Sequence, residues 1–184
     1  MLNILRRFGA KEKTPDRSAG KESGSGQRDA LTGAVNRSTF QKIVENALTG
    51  EHTHGCLLLV DVDCMNEINE NFGRETGDRV LQNVFATLQE NFRGGDGIGR
   101  LSEDSFGIWI EGLRADQVSG IRRRIAIVND KLLHGREGLP RVTLSAGAAL
   151  GESGENYKEI YRQAQKVLYR VKEGGRCGCE IYSN

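Results

Sequence analysis

The sequence predicts an α+β fold: one mixed β-sheet of about five strands with helices packed against it. Three observations lead there. From residue 29 onward, apolar residues at helical spacing alternate with short apolar runs. One run, Cys56-Leu-Leu-Leu-Val60, is uninterrupted and ends in Asp61, the pattern of a central strand buried on both faces. Two strand-like stretches meet at the turn Ser102-Glu103-Asp104-Ser105, which adds an antiparallel hairpin to strands joined by helical crossovers.

The elements follow in order. Ser38 with Gln41 forms a capping box, after which Phe40, Ile43, Val44 and Ala47 keep helical spacing. After the central strand, Val80, Leu81, Val84, Phe85, Leu88 and Phe92 line one side of a second helix. Beyond the turn, Phe106, Ile108 and Ile110 share one strand face and Trp109 takes the other. Val118, Ile121, Ile125, Val128 and Leu132 line a third helix. Residues 142–150 form a small-residue strand, residues 157–172 a last long helix stopped by Gly174-Gly175, and residues 180–182 an edge strand. No internal repeat is present.

Composition excludes several classes. At 184 residues the chain can bury a core without disulfides. Its 26 basic and 25 acidic residues are unevenly spread, seven against three over residues 1–28 and nineteen against twenty-two beyond. The folded part, residues 29–184, therefore lacks the basic excess of a nucleic-acid binder. Residues 1–28 read as a flexible basic arm, with a Ser/Gly-rich linker over 11–27. Residues 1–8 mix apolar residues with arginines and suit peripheral contact with a membrane surface or a partner. No apolar run is long enough to span a bilayer. Four cysteines without framework spacing suit free thiols in a reducing, cytoplasmic setting. The stretches His52-Thr-His54-Gly-Cys56 and Cys177-Gly-Cys179 lack the spacing of a structural zinc site.

Five segments carry a resemblance over residues 29–179. Asp29-Ala-Leu-Thr-Gly-Ala-Val-Asn-Arg37 resembles the opening D-x-L-T-G-L-x-N-R of the GGDEF (diguanylate cyclase) family. Asp61-Val-Asp-Cys-Met-Asn-Glu-Ile-Asn69 resembles its D-I-D-x-F-K-x-I-N, and Phe72-Gly-Arg-Glu-Thr-Gly-Asp78 its F-G-H-x-x-G-D. Arg100-Leu-Ser-Glu-Asp-Ser-Phe106 stands in the place of R-Y-G-G-[DE]-E-F, and Tyr169-Arg-Val-Lys-Glu-Gly-Gly-Arg176 matches Y-x-A-K-x-x-G-R. The resemblance implies a nucleotidyl-cyclase-like sheet and a chemistry that joins two GTP molecules. By that resemblance Asp61, the Val62 carbonyl and Asp104 hold Mg²⁺ or Mn²⁺ when GTP is bound, and Asp104 is the catalytic carboxylate. Hard oxygen ligands at a strand end suit such cations.

Asn69 and Asp78 resemble the family's guanine readers; an amide and a carboxylate match the donor and acceptor edge of guanine. Asp78 equally suits a helix first turn. Lys172 and Arg176 resemble its phosphate clamps, and they also suit the C-terminal end of a helix. The departures sit in the turn. Ser102 and Glu103 replace two glycines, and Glu103 brings an acid to where guanosine would lie. Ser105 removes a carboxylate, and Asn66 stands where the family has a lysine. A triphosphate there loses electrostatic stabilisation twice, so Asp104 reads as vestigial.

Arg93-Gly-Gly-Asp96 ends six residues before Ser102. It resembles the family's RxxD site for the product, cyclic di-GMP, with Arg124 as the auxiliary arginine. An Arg fork grips phosphate or the O6/N7 edge of guanine, and Asp accepts from guanine N–H groups. An Arg–Asp pair holding a helix-to-strand turn is the plain alternative. The sequence thus leads to a catalytically degenerate GGDEF domain acting as a cyclic di-GMP receptor, with a protein partner or a second copy reading its state. Two competitors remain: a low-activity cyclase, and a nucleotide-independent scaffold.

Overall fold

The computed structural model describes residues 27–50 and 53–183. The predicted basic arm, apart from Gln27 and Arg28, lies outside them, as does His52. The elements are β1 (Val35–Asn36), α1 (Arg37–Thr49), β2 (His54–Val62), α2 (Met65–Phe72), α3 (Arg74–Asn91), β3 (Gly97–Arg100), β4 (Ser105–Glu111), α4 (Ser119–His134), β5 (Leu144–Glu152), α5 (Tyr157–Glu173) and β6 (Gly178–Ile181).

The strands form one sheet in the order β1-β3-β4-β2-β5-β6. β2 is antiparallel to both neighbours, β4 and β5, while the outer pairs β1/β3 and β5/β6 are parallel. The sheet is therefore mixed, as the interleaving of crossovers with one hairpin requires. It has six strands against the five or so expected. The addition is β1, whose two residues are too short to leave a periodic signal.

Strand alternation divides the core into two layers. Cys56, Leu58 and Val60 of β2 join Phe106, Ile108 and Ile110 of β4 beneath α3 and α4. Leu57 and Leu59 join Trp109 beneath α1 and α5, against Phe40, Val44, Ile160, Ala164 and Leu168. Each fully buried Leu, Ile or Phe contributes about 1.5–3 kcal/mol by leaving water. Asn129 of α4 fixes the strand start from above: its amide donates to the Leu144 carbonyl (3.0 Å) and accepts from the Leu144 N–H (2.7 Å). Under α5 the approach is closest at Gly147, where a Cβ would overlap the Ala164 carbonyl and the Leu168 amide.

Two local details differ from the sequence reading. Asn36, not Ser38, caps α1 by accepting from the Thr39 N–H at 2.9 Å. The Ser38 hydroxyl donates to that same Asn36 oxygen, and Gln41 donates to Glu45 one turn on. Between the central strand and the hairpin there are two helices, because Gly73 at φ 82° reverses the chain between α2 and α3.

Candidate functional site

The site forms where the hairpin turn meets the C-terminal end of β2. Asp61 pairs with Ser105 across the ladder, and the Val62 N–H donates to the Asp104 carbonyl at 2.9 Å. Asp61, Val62 and Asp104 are thereby brought together. Asp61 is ion-paired with Lys172 in the last turn of α5. Burial pushes the Asp61 carboxyl above its ordinary range; the Lys172 ammonium opposes this, and the Asp104 and Asp63 carboxylates reinforce it.

Asp63 is engaged elsewhere. It is buried and accepts from the Thr143 and Ser145 hydroxyls, both at 2.7 Å, and from the Cys177 N–H at 3.2 Å. It thus ties down the turn that carries Arg176, an exposed residue at φ 65°. Among the described residues no group of three or more His, Cys, Asp or Glu is arranged to hold a metal ion. The four cysteines are free thiols.

The Ser102–Ser105 turn is held by contacts of its own. The Ser102 hydroxyl donates to Asp104 Oδ1 at 3.0 Å and lies 2.7 Å from the Ser105 hydroxyl. Arg100 holds the turn from outside. Its Nε donates to the Ser102 carbonyl (3.1 Å), one Nη to the Glu103 carbonyl (2.8 Å) and the other to both Asp29 oxygens (3.0 and 3.2 Å). Asp29 also accepts from the Thr32 N–H (2.8 Å) and hydroxyl (2.6 Å). Both residues lie in quoted motifs, but 71 positions apart, so no sequence spacing signals the clamp and only the fold pairs them.

Beside the turn is a cleft of about 880 Å³ whose lining includes Asn66, Asn69, Arg74, Asp78, Glu103 and Asp104. The two candidate guanine readers thus share one cavity with the turn. Asn69 comes from the last turn of α2, and its side chain lies directly against Gly77. Asp78 is the fifth residue of α3, beyond the first turn, where Glu75 is the acid that meets the helix dipole. Glu103 is exposed and lines the same cleft, so a polyanion entering it meets an added negative charge.

Arg93 and Asp96 sit in the turn between α3 and β3. The Arg93 N–H donates to Asp96 Oδ2 (2.9 Å) and the Asp96 N–H to the Arg93 carbonyl (2.9 Å), so Asp96 closes its own turn. The Arg93 side chain is exposed. Arg124 of α4 reaches the same place: its Nη1 is 4.0 Å from Asp96 Oδ2, and its Cζ is 5.7 Å from the Phe92 ring centre. That buried Nη1 has no hydrogen-bond partner among the described residues.

The family model described as diguanylate cyclase, GGDEF domain, matches residues 26–177. Diguanylate cyclase DgcM of Escherichia coli (strain K12) is 32% identical over 154 residues, covering 80% of this chain and 36% of that protein. The chain spans about a third of the length of such curated relatives, 34% of probable diguanylate cyclase DgcT from the same organism. Among solved structures, diguanylate cyclase SiaD of Pseudomonas aeruginosa, in complex with its activator SiaC, superposes with a TM-score of 0.76 at 26% identity, over 84% of this chain and 61% of that one. The GGDEF domain of DgcB from Caulobacter crescentus, in complex with c-di-GMP, gives 0.75 at 23% identity over 86% and 96%, a likeness of fold. With the ordered motifs, the six-stranded mixed sheet and a matching family model over residues 26–177, the chain belongs to the GGDEF domain family.

Proposed function

We propose that this GGDEF domain is a receptor for cyclic di-GMP rather than an efficient cyclase, binding through Arg93, Asp96 and Arg124. One observation carries the reading: Arg124, 28 positions beyond Asp96 in the sequence, packs beside it with a buried guanidinium nitrogen that lacks a hydrogen-bond partner among the described residues. The Arg124 side chain is partly exposed and its Nη1 has only the long ion pair with Asp96, so a phosphate oxygen or a guanine O6/N7 edge would supply the acceptor it lacks. The exposed Arg93 supplies a second fork at the same turn.

The turn supports the other half of the reading. Asp104 is held by Ser102, Asp61 by Lys172, and Glu103 faces the cleft. A divalent cation on GTP would take Asp61 and Asp104 as its carboxylate ligands, with the Val62 carbonyl, and would supply charge neutralisation at the triphosphate. It would displace both internal contacts to do so. Lys172 and Arg176 remain the cations for phosphate, without the family's lysine at position 66. The receptor state would be read by a protein partner or a second copy, with residues 1–8 as a peripheral membrane contact.

Calorimetry with cyclic di-GMP tests the reading. Binding at micromolar or lower concentration, lost in Arg93→Ala, is expected; no heat with the wild type would refute it. A second reading, slow cyclase activity, is favoured by the shared cleft of Asn69, Asp78 and Asp104. It predicts conversion of GTP to cyclic di-GMP that Asp104→Ala removes.

A further inference from the structure

We propose that Gly77 is the positioning residue that sets the amide of Asn69 and thereby the guanine selectivity of the cleft. The inference rests on the reading of Asn69 and Asp78 as base readers. Gly77 is the fourth residue of α3, an 18-residue helix, and is not among the glycines with positive φ. Its backbone needs no glycine, and a glycine inside a helix is about 1 kcal/mol less favourable than alanine. Packing explains it instead. A Cβ at position 77 would overlap Asn69 Oδ1, with Asn69 Cγ at 3.1 Å and Met65 Cε at 2.7 Å.

The Asn69 amide therefore rests in the notch left by the missing side chain. Its backbone is fixed as well: the Gly73 N–H donates to the Asn69 carbonyl (3.0 Å), and the Gly77 N–H to the Gly73 carbonyl (3.1 Å). Asp78, the other reader, is the next residue along. The two readers are thus registered to each other through one helix junction. A methyl group at position 77 meets only the ends of two flexible side chains, so the Asn69 amide and the Met65 methyl must move aside for it. Hydrogen bonds weaken steeply when distance or angle is lost, so a displaced amide stops reading the base edge while Asp78 stays in place.

The test uses the full chain with GTP and ATP, each with Mg²⁺, in calorimetry on wild type, Gly77→Ala, Asn69→Ala and the double variant. Gly77→Ala should reduce the preference for GTP over ATP by about tenfold or more, and Asn69→Ala should do the same. The double variant should bind no worse than Asn69→Ala, because both changes remove one interaction. Additive losses, or Gly77→Ala retaining wild-type selectivity, would overturn the inference alone. A wild type that binds GTP no better than ATP would overturn the base-reader assignment and the inference with it. A ligand-free readout stands beside these: the Asn69 side-chain amide resonances should shift in Gly77→Ala and stay in Gly120→Ala, a helix glycine in open space. Resonances unmoved in Gly77→Ala would also overturn it.

Discussion

Replacing Arg100 by alanine removes the clamp on the signature turn, and the structure sets the size of the effect. Four donor–acceptor contacts are lost, two to Asp29 and two to the Ser102 and Glu103 carbonyls. The side chains of Arg100 and Asp29 are 14% and 23% exposed, so the pair lies between a surface contact and a buried one. Hydrogen bonds to charged groups contribute about 1.5–3 kcal/mol. Asp29 keeps both Thr32 donors and is not orphaned, while the two turn carbonyls regain water. The expected loss is about 2 kcal/mol, a fall in melting temperature of about 4–8 °C for a domain of this size.

The pH dependence gives a second handle. Burial would raise the Asp29 carboxyl, but the Thr32 hydroxyl and amide together with Arg100 hold it below its ordinary value. A lowered acid stabilises the fold above its unfolded-state pKa, and that contribution fades as pH falls through the folded value. The deficit of Arg100→Ala, measured by urea denaturation, should therefore be largest near neutrality. It should shrink by about half below the usual carboxylate range, since only the contacts to the two carbonyls survive there. A variant as stable as wild type at neutral pH, or a deficit unchanged at low pH, would refute the reasoning.

Further outcomes follow from the same contacts. Lys172→Met leaves Asp61 with burial and two neighbouring carboxylates, so its titration midpoint, followed by carboxyl carbon NMR, should move further up; an unmoved midpoint would contradict the ion pair. Because a raised acid favours folding only at low pH, the variant should lose stability as pH rises through that shifted midpoint. Gly147→Ala places a Cβ against the backbone of α5, including Leu168 Cα at 2.8 Å, and neither element can yield cheaply. It should cost about 3 kcal/mol in denaturation, and a loss under about 1 kcal/mol would mean that the helix shifts freely.

Much of the fold was legible because its signals are periodic. The run from Cys56 to Val60, buried on both faces, needs no alternation, and the two faces of β4 follow from Phe106, Ile108 and Ile110 against Trp109. What escaped was either too short or too far apart. β1 has two residues, and α2 is separated from α3 by a single glycine that the pattern passes over. At the site, the candidate residues were named from ordered motifs, but their partners were not. Lys172 resembles a phosphate clamp in its motif and is paired with Asp61; Arg100 and Asp29 meet only through the sheet. Gly77 was visible as a motif letter, yet its role depends on where Asn69 falls after the chain reverses at Gly73.

The central claim, a receptor rather than a cyclase, is tested most directly by one paired experiment. The wild-type chain is titrated with cyclic di-GMP and, side by side, incubated with GTP and Mg²⁺ while the product is measured. Saturable binding of cyclic di-GMP that depends on Arg93 is expected, with little or no product formed from GTP. Cyclic di-GMP made from GTP by the wild type but not by Asp104→Ala, with no binding that depends on Arg93, would contradict it.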